Sequence, residues 1–134
     1  METSSSRVII LPTSKGTTLI PAEDIVRIQS ISNYSKLFFK NGKSLVVAKL
    51  LRWFEEQSSL ASFARIHRTH FVNMSFIKSY NHDKNGLLFL HNGETFLVAR
   101  RKKAVLIQQL TRFNNSLAHT PAGIAISGKK NLAA

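Results

Sequence analysis

Two Asn-Gly dipeptides, Asn41-Gly42 and Asn92-Gly93, each stand between short apolar runs. Tyr34–Phe39 precedes the first and Ser44–Val47 follows it, while Leu87–His91 and Glu94–Ala99 flank the second. Asn-Gly in this setting is a strong hairpin signal, because a two-residue turn of the favoured type needs positive φ at both positions. Two such turns commit much of the chain to antiparallel pairs. The hairpins also match each other at an offset of 51 residues: Phe38 with Phe89, Asn41-Gly42 with Asn92-Gly93, Val47-Ala48 with Val98-Ala99, Lys49 with Arg100. A repeated structural unit accounts for this, as does chance similarity between two hairpins.

Other segments are strand-like too. Val8–Leu11 is an apolar run that stops at Pro12, and Thr17–Ile20 one that stops at Pro21. Residues 25–30 alternate with period two. Helical spacing is confined to Leu50, Leu51, Phe54 and Leu60, and to Ala104, Leu106, Ile107, Leu110 and Phe113. The expected fold is all-β, a set of small antiparallel sheets with one or two short helices. Residues 1–16 read as an N-terminal segment holding one short apolar run after six polar, disordered residues. Residues 17–113 form the domain, and 114–134, rich in small residues, read as a flexible tail.

A chain of 134 residues that is 43% hydrophobic can bury one core. Its 19 Lys and Arg against 7 Asp and Glu give a net charge of +12. Self-repulsion at that charge opposes compaction, and a polyanion would relieve it. There is no cysteine, which rules out disulfides and thiolate metal sites. No run approaches the ~18 apolar residues of a membrane span, and the N-terminus lacks a secretion signal, so a cytoplasmic location is expected.

Three segments carry chemistry. Arg100-Arg101-Lys102-Lys103 open the last helical stretch, where the partial positive charge of a helix start disfavours cations and suits an outside anion such as phosphate. The bland alternative is a solvated loop before a later helix start. In Ala64–Asn73, strand formers Ile66, Phe71 and Val72 mix with the donors Arg65, His67, Arg68, Thr69, His70 and Asn73. Arg can fork onto guanine and Asn onto adenine, while Thr can hold phosphate. His67 and His70, three apart on a strand, should face opposite ways and not chelate a metal. Ser32–Lys36 offers short polar donors and Tyr34 to a groove, or serves as an ordinary turn. No nucleophile elbow, phosphate-binding loop or zinc-protease motif is present, so no enzyme is expected, and no cofactor or metal. Phe38, Phe39, Phe54, Phe71, Phe76, Phe89 and Phe96 fit a core better than a base-stacking platform.

The run Ile66-His67-Arg68-Thr69-His70-Phe71-Val72-Asn73-Met74-Ser75-Phe76-Ile77 resembles the signature of LytTR-type DNA-binding domains. The resemblance extends from about Thr17 to Phe113, through Ile20–Ile25, Asn33-Tyr34, both hairpins and Val98–Arg101. It implies an elongated fold of about ten strands in small antiparallel sheets, which inserts loops into successive major grooves of a direct-repeat site. Carried onto this chain, it makes Asn33, Tyr34, Arg68 and Arg101 base contacts. Lys36, His67, Thr69, His70, Arg100, Lys102 and Lys103 become phosphate contacts or near neighbours of them. Ala99 stands where the family often has Ser, removing a hydroxyl. Many such proteins carry a receiver domain ahead of the DNA-binding domain; sixteen residues before Thr17 cannot hold one, so a stand-alone reader is expected.

The expected function is therefore sequence-specific binding of double-stranded DNA in transcription regulation. Two copies side by side on a direct repeat are possible partners, with no membrane and no small-molecule substrate. The alternative is a basic β-domain for RNA or single-stranded nucleic acid, which needs aromatics exposed on a sheet face. A protein-interaction or membrane-surface module is the third reading.

Overall fold

The computed structural model describes residues 7–83, 85–116 and 123–128. These residues hold eleven strands in three sheets. The first hairpin, β1 (Val8–Thr13) and β2 (Gly16–Pro21), is a sheet of its own. A five-stranded sheet follows, built from β3 (Ile25–Ile31), β4 (Tyr34–Phe39), β5 (Ser44–Val47), β6 (Phe63–His67) and β7 (His70–Asn73) in the order β5-β4-β3-β7-β6. The third sheet contains β8 (Ile77–Asn81), β9 (Leu87–Leu90), β10 (Thr95–Leu97) and β11 (Ala125–Ser127), ordered β10-β9-β8-β11. Helix α1 (Leu51–Glu55) is short and α2 (Lys103–Ser116) has 14 residues. The all-β expectation holds.

Alternation places the core on both faces of the five-stranded sheet. Ile28, Leu37 and Phe71 pack with Ile9, Leu11, Phe54 and Phe63 in one cluster. Val26, Ala64, Ile66 and Val72 join Ile77, Tyr80, Leu88, Leu106 and Leu110 in another. The β1–β2 hairpin and α1 thus cover one face, and the third sheet and α2 the other.

The repeat is real at the level of hydrogen bonds. Gly42 N–H donates to Phe39 O (2.9 Å) and Gly93 N–H to Leu90 O (3.1 Å). Asn41 Oδ1 accepts from Lys43 N–H and Asn92 Oδ1 from Glu94 N–H, both at 2.9 Å. Lys40 N–H reaches back to Asp24 O and His91 N–H to Phe76 O, again both 2.9 Å. Each unit begins with a 3₁₀ turn, Ala22–Asp24 or Met74–Phe76. Each first strand then carries one irregularity at the same place, between Ile25 and Arg27 or between Ile77 and Ser79.

Several expectations are corrected. The Asn-Gly turns have positive φ only at the glycines, Gly42 (88°) and Gly93 (93°), so each is a longer turn closed by a left-handed Gly. Pro12 does not end the first strand; it faces Thr17 in a two-stranded ladder, where proline is tolerated at an edge. The flexible tail expected from Asn114 is, in its described part, built into the fold. Asn114, in the last turn of α2, bonds both N–H (2.7 Å) and C=O (2.9 Å) of Ile124, and β11 then runs parallel to β8. The remaining tail residues, and the first six of the chain, lie outside the described residues.

Arg27 joins the two large sheets. It is buried on β3, its Nε and Nη2 fork onto Glu94 at 3.0 and 2.9 Å, and Nη1 donates to Gln29 at 2.9 Å. Its guanidinium lies 3.8 Å from the Phe38 ring centroid and 5.0 Å from that of Phe96. Removing Glu94 strands a buried cation. Glu94→Ala is expected to cost about 2–3 kcal/mol, below the usual range for a buried pair because Glu94 reaches solvent. Arg27→Met combined with Glu94→Gln should cost less. Chemical denaturation of the three proteins checks the order.

Candidate nucleic-acid interface

Strand pairing decides where the expected contact residues sit. Ile31 pairs with Tyr34 across the Ser32-Asn33 turn. Gln29 pairs with His70, and Ser30 N–H donates to Thr69 O at 2.9 Å. The Arg68-Thr69 turn therefore lies beside the Ser32-Asn33 turn at the same end of the five-stranded sheet. Ala99 N–H donates to Ile66 O at 2.8 Å, which brings the 3₁₀ turn Arg100–Lys102 against the outer side of β6 at that end. Asn33, Arg68 and Arg101 are exposed, and their backbones follow one edge of the sheet rather than different sides of the molecule. From β4 to β6 are three strand intervals, about 14 Å at ~4.8 Å each.

The edge is electrically one-sided. Residues 31–36, 67–70 and 98–103 contain Lys36, Arg68, Arg100, Arg101, Lys102 and Lys103 and no Asp or Glu. Three acids elsewhere are paired with cations: Asp24 with Lys40 at 3.2 Å, Glu55 with Arg65, Glu94 with Arg27. The Arg100–Lys102 turn begins at Ala99 without a side-chain cap, so free backbone donors and a cluster of cations coincide there.

The Arg68 turn is braced from within. Arg65 donates Nε to His67 O (2.9 Å) and Nη2 to Arg68 O (2.5 Å), while Nη1 binds Glu55 of α1. His67 Nδ1 accepts Thr69 N–H at 3.2 Å and lies 3.0 Å from Thr69 Oγ1, leaving Nε2 for an outside group. Ser32, at the tip of the neighbouring turn, holds a positive φ of 55°. For a residue with a side chain this is an uncommon conformation, retained only where the surroundings fix it.

Not every expected residue is placed to meet a ligand. Asn73, weighed as an adenine reader, is 2% exposed, and its amide donates to Ile25 O (2.9 Å) and accepts Ser75 N–H (3.0 Å). It fastens β7 to the start of β3. Arg65 has Nε and Nη2 committed to the turn and Nη1 to Glu55. His70 is half-buried, its ring 4.8 Å from Phe96 and 5.7 Å from His67 by centroids. Burial first, then the charges of Arg27 and His67, lower its pKa to about 4 against a partial pull from Glu94. It therefore brings no positive charge to a phosphate near neutral pH. Lys103 lies over Gly86, where an added Cβ would stand 2.7 Å from its Cε, so its stem turns toward the β8–β9 connection. His67 and His70 do not sit three apart on one strand. They end β6 and begin β7 and pair across the turn, on one face. Among the described residues no group of three or more His, Cys, Asp or Glu could hold a metal.

The profile of the LytTr DNA-binding domain family matches residues 15–111. The chain belongs to this family. A solved structure of the LytTr DNA-binding domain of a protein from Bacillus cereus superposes with a TM-score of 0.64 at 24% identity, covering 77% of this chain and 95% of that one. That likeness shows the shared LytTr fold. No curated protein matches the sequence. Strand β1, Ser14 of the β1–β2 turn and β11 lie outside the span matched by the LytTr family, yet Ile9, Leu11 and Ile124 are core residues here.

Two outcomes follow. Arg65→Ala should loosen the turn, with about 1–2 kcal/mol lost from its hydrogen bonds and faster amide exchange at Ser30 and Thr69. A depressed histidine pKa means the unfolded chain takes up the proton first as pH falls. Stability from His70 is thus complete above about pH 6.5 and lost toward pH 4, worth about 2 kcal/mol after allowing for solvent screening. Thermal unfolding from pH 4 to 7 should show this slope, and His70→Gln should flatten it.

Proposed function

We propose that the chain is a sequence-specific reader of double-stranded DNA that regulates transcription, with loops entering successive major grooves of a direct-repeat site. One observation carries the reading. The turns bearing Asn33-Tyr34 and Arg68, and the 3₁₀ turn bearing Arg100-Arg101, lie along one end of a rigid five-stranded sheet without an acid among them.

In this reading Arg68 and Arg101 fork onto base edges and Asn33 reads beside them with Tyr34. Lys36, Arg100 and Lys102 hold phosphate and give the affinity its salt dependence. Thr69 and His67 Nε2 serve as further donors at the same turn. Two copies side by side would occupy the two halves of a direct repeat. Binding of this kind needs no cofactor and no catalytic pair.

A platform for single strands needs aromatics laid open on a sheet face. Among the described residues Tyr34, 50% exposed, is the only aromatic left largely open, and Phe38 and Phe96 face Arg27 instead. Duplex DNA is favoured accordingly.

Selection of bound duplexes from a random pool should recover a repeated motif spaced near one helical turn. On that duplex, Arg101→Ala is expected to cost about 1–3 kcal/mol and to relax preference at one base pair. Equilibrium titration against single-base variants of the motif measures both. An unchanged ratio of specific to random binding would remove Arg101 from the readout.

A further inference from the structure

The end of the sheet that carries these turns continues past them on the other side. β5 pairs with β4 so that Val47 faces Ser35, and the chain leaves β5 at this same end. Ser35 Oγ donates to Lys49 O at 2.6 Å, which fixes the Lys49 backbone one residue away from Tyr34. The Lys49 amine lies 5.0 Å from the Trp53 ring centroid, and Arg52 is exposed, its side chain without an ion-pair or hydrogen-bond partner among the described residues. Residues 48–52 contain no acid.

The repeat gives this segment a counterpart. At the offset that aligns the two hairpins, Lys49 falls on Arg100. Both segments follow the second strand of their hairpin, and both are tied to the five-stranded sheet at the same end, Lys49 through Ser35 and Ala99 through Ile66. One basic cluster thus stands at each extremity of the row. From β5 to β6 are four strand intervals, about 19 Å at ~4.8 Å each. That exceeds the ~12 Å width of a major groove, so the cluster at the β5 extremity lies beyond the groove that the Asn33 turn enters and over its flanking phosphate strand.

We infer that Lys49 and Arg52 form a fourth DNA contact, a sequence-independent phosphate clamp flanking the Asn33 turn on the side away from Arg101. The inference rests on the proposed duplex-reading function. Trp53 holds the Lys49 amine in place, while Arg52 is free to meet a phosphate. Binding here adds affinity and fixes register without adding base preference.

The test titrates wild-type protein, Lys49→Gln/Arg52→Gln, Arg52→Glu and Arg101→Ala against the selected duplex and a random duplex over a range of salt. The double variant should weaken both duplexes equally and lower the slope of log affinity on log salt by about 2, at ~0.9 per lost contact. Arg52→Glu touches no packing and keeps the result independent of folding; it should weaken both duplexes as well. Phosphate ethylation on the Asn33-side flank should interfere with wild-type binding and not with the double variant. If slope and interference are unchanged in the variants while Arg101→Ala still loses selectivity, the clamp is refuted and the duplex reading stands. If wild-type protein does not distinguish selected from random duplex, the reading fails and the clamp with it.

Discussion

A buried arginine sets the terms of this fold. Arg27 lies where the five-stranded sheet meets the β9–β10 hairpin, and a charge there is tolerable only if its nitrogens find acceptors. Glu94 and Gln29 supply them, and Phe38 and Phe96 close over the guanidinium. Glu94 is held by the second Asn-Gly turn, whose Asn92 receives its N–H and bonds its carboxylate. Burial of one cation thus fixes how one repeat unit sits on the other. Phe96 also touches His70, which pairs with His67 at the Arg68 turn. The contact edge is thereby continuous with the packed interior.

The segment His67–Asn73 divides its labour sharply. Phe71 and Val72 enter the cores on opposite faces, as alternation requires. Asn73 ties the starts of the two repeat units together, donating to Ile25 O and accepting Ser75 N–H, and His70 is a neutral ring in a stack. His67 and Thr69 shape the turn, leaving Arg68 as the side chain that faces outward. The pattern is recognisable because most of its residues hold the fold. A motif built for one chemical purpose, base recognition, would be far less demanding at each position.

The hairpins, the repeat and the strand-rich fold were legible in sequence because they depend on local rules: alternation, turn chemistry and a fixed offset. The charge was legible too. Asn73 was misread because the sequence shows an amide without showing the carbonyls that capture it. The two histidines were misread because a spacing of three has opposite meanings within a strand and across a tight turn. Arg65 and Glu55 gave no signal, since their partnership depends on α1 folding back over β6.

Hydrophobic spacing, Asn-Gly turns and an excess of cations thus determined by themselves that this chain makes antiparallel sheets and suits a polyanion. Strand order decided the rest. Only the pairing of β3 with β7, distant in sequence, puts the Asn33 and Arg68 turns side by side, and only the bond from Ala99 to Ile66 adds Arg101 to their row. Such contacts come from packing two core faces around one sheet, a global constraint that no local pattern encodes.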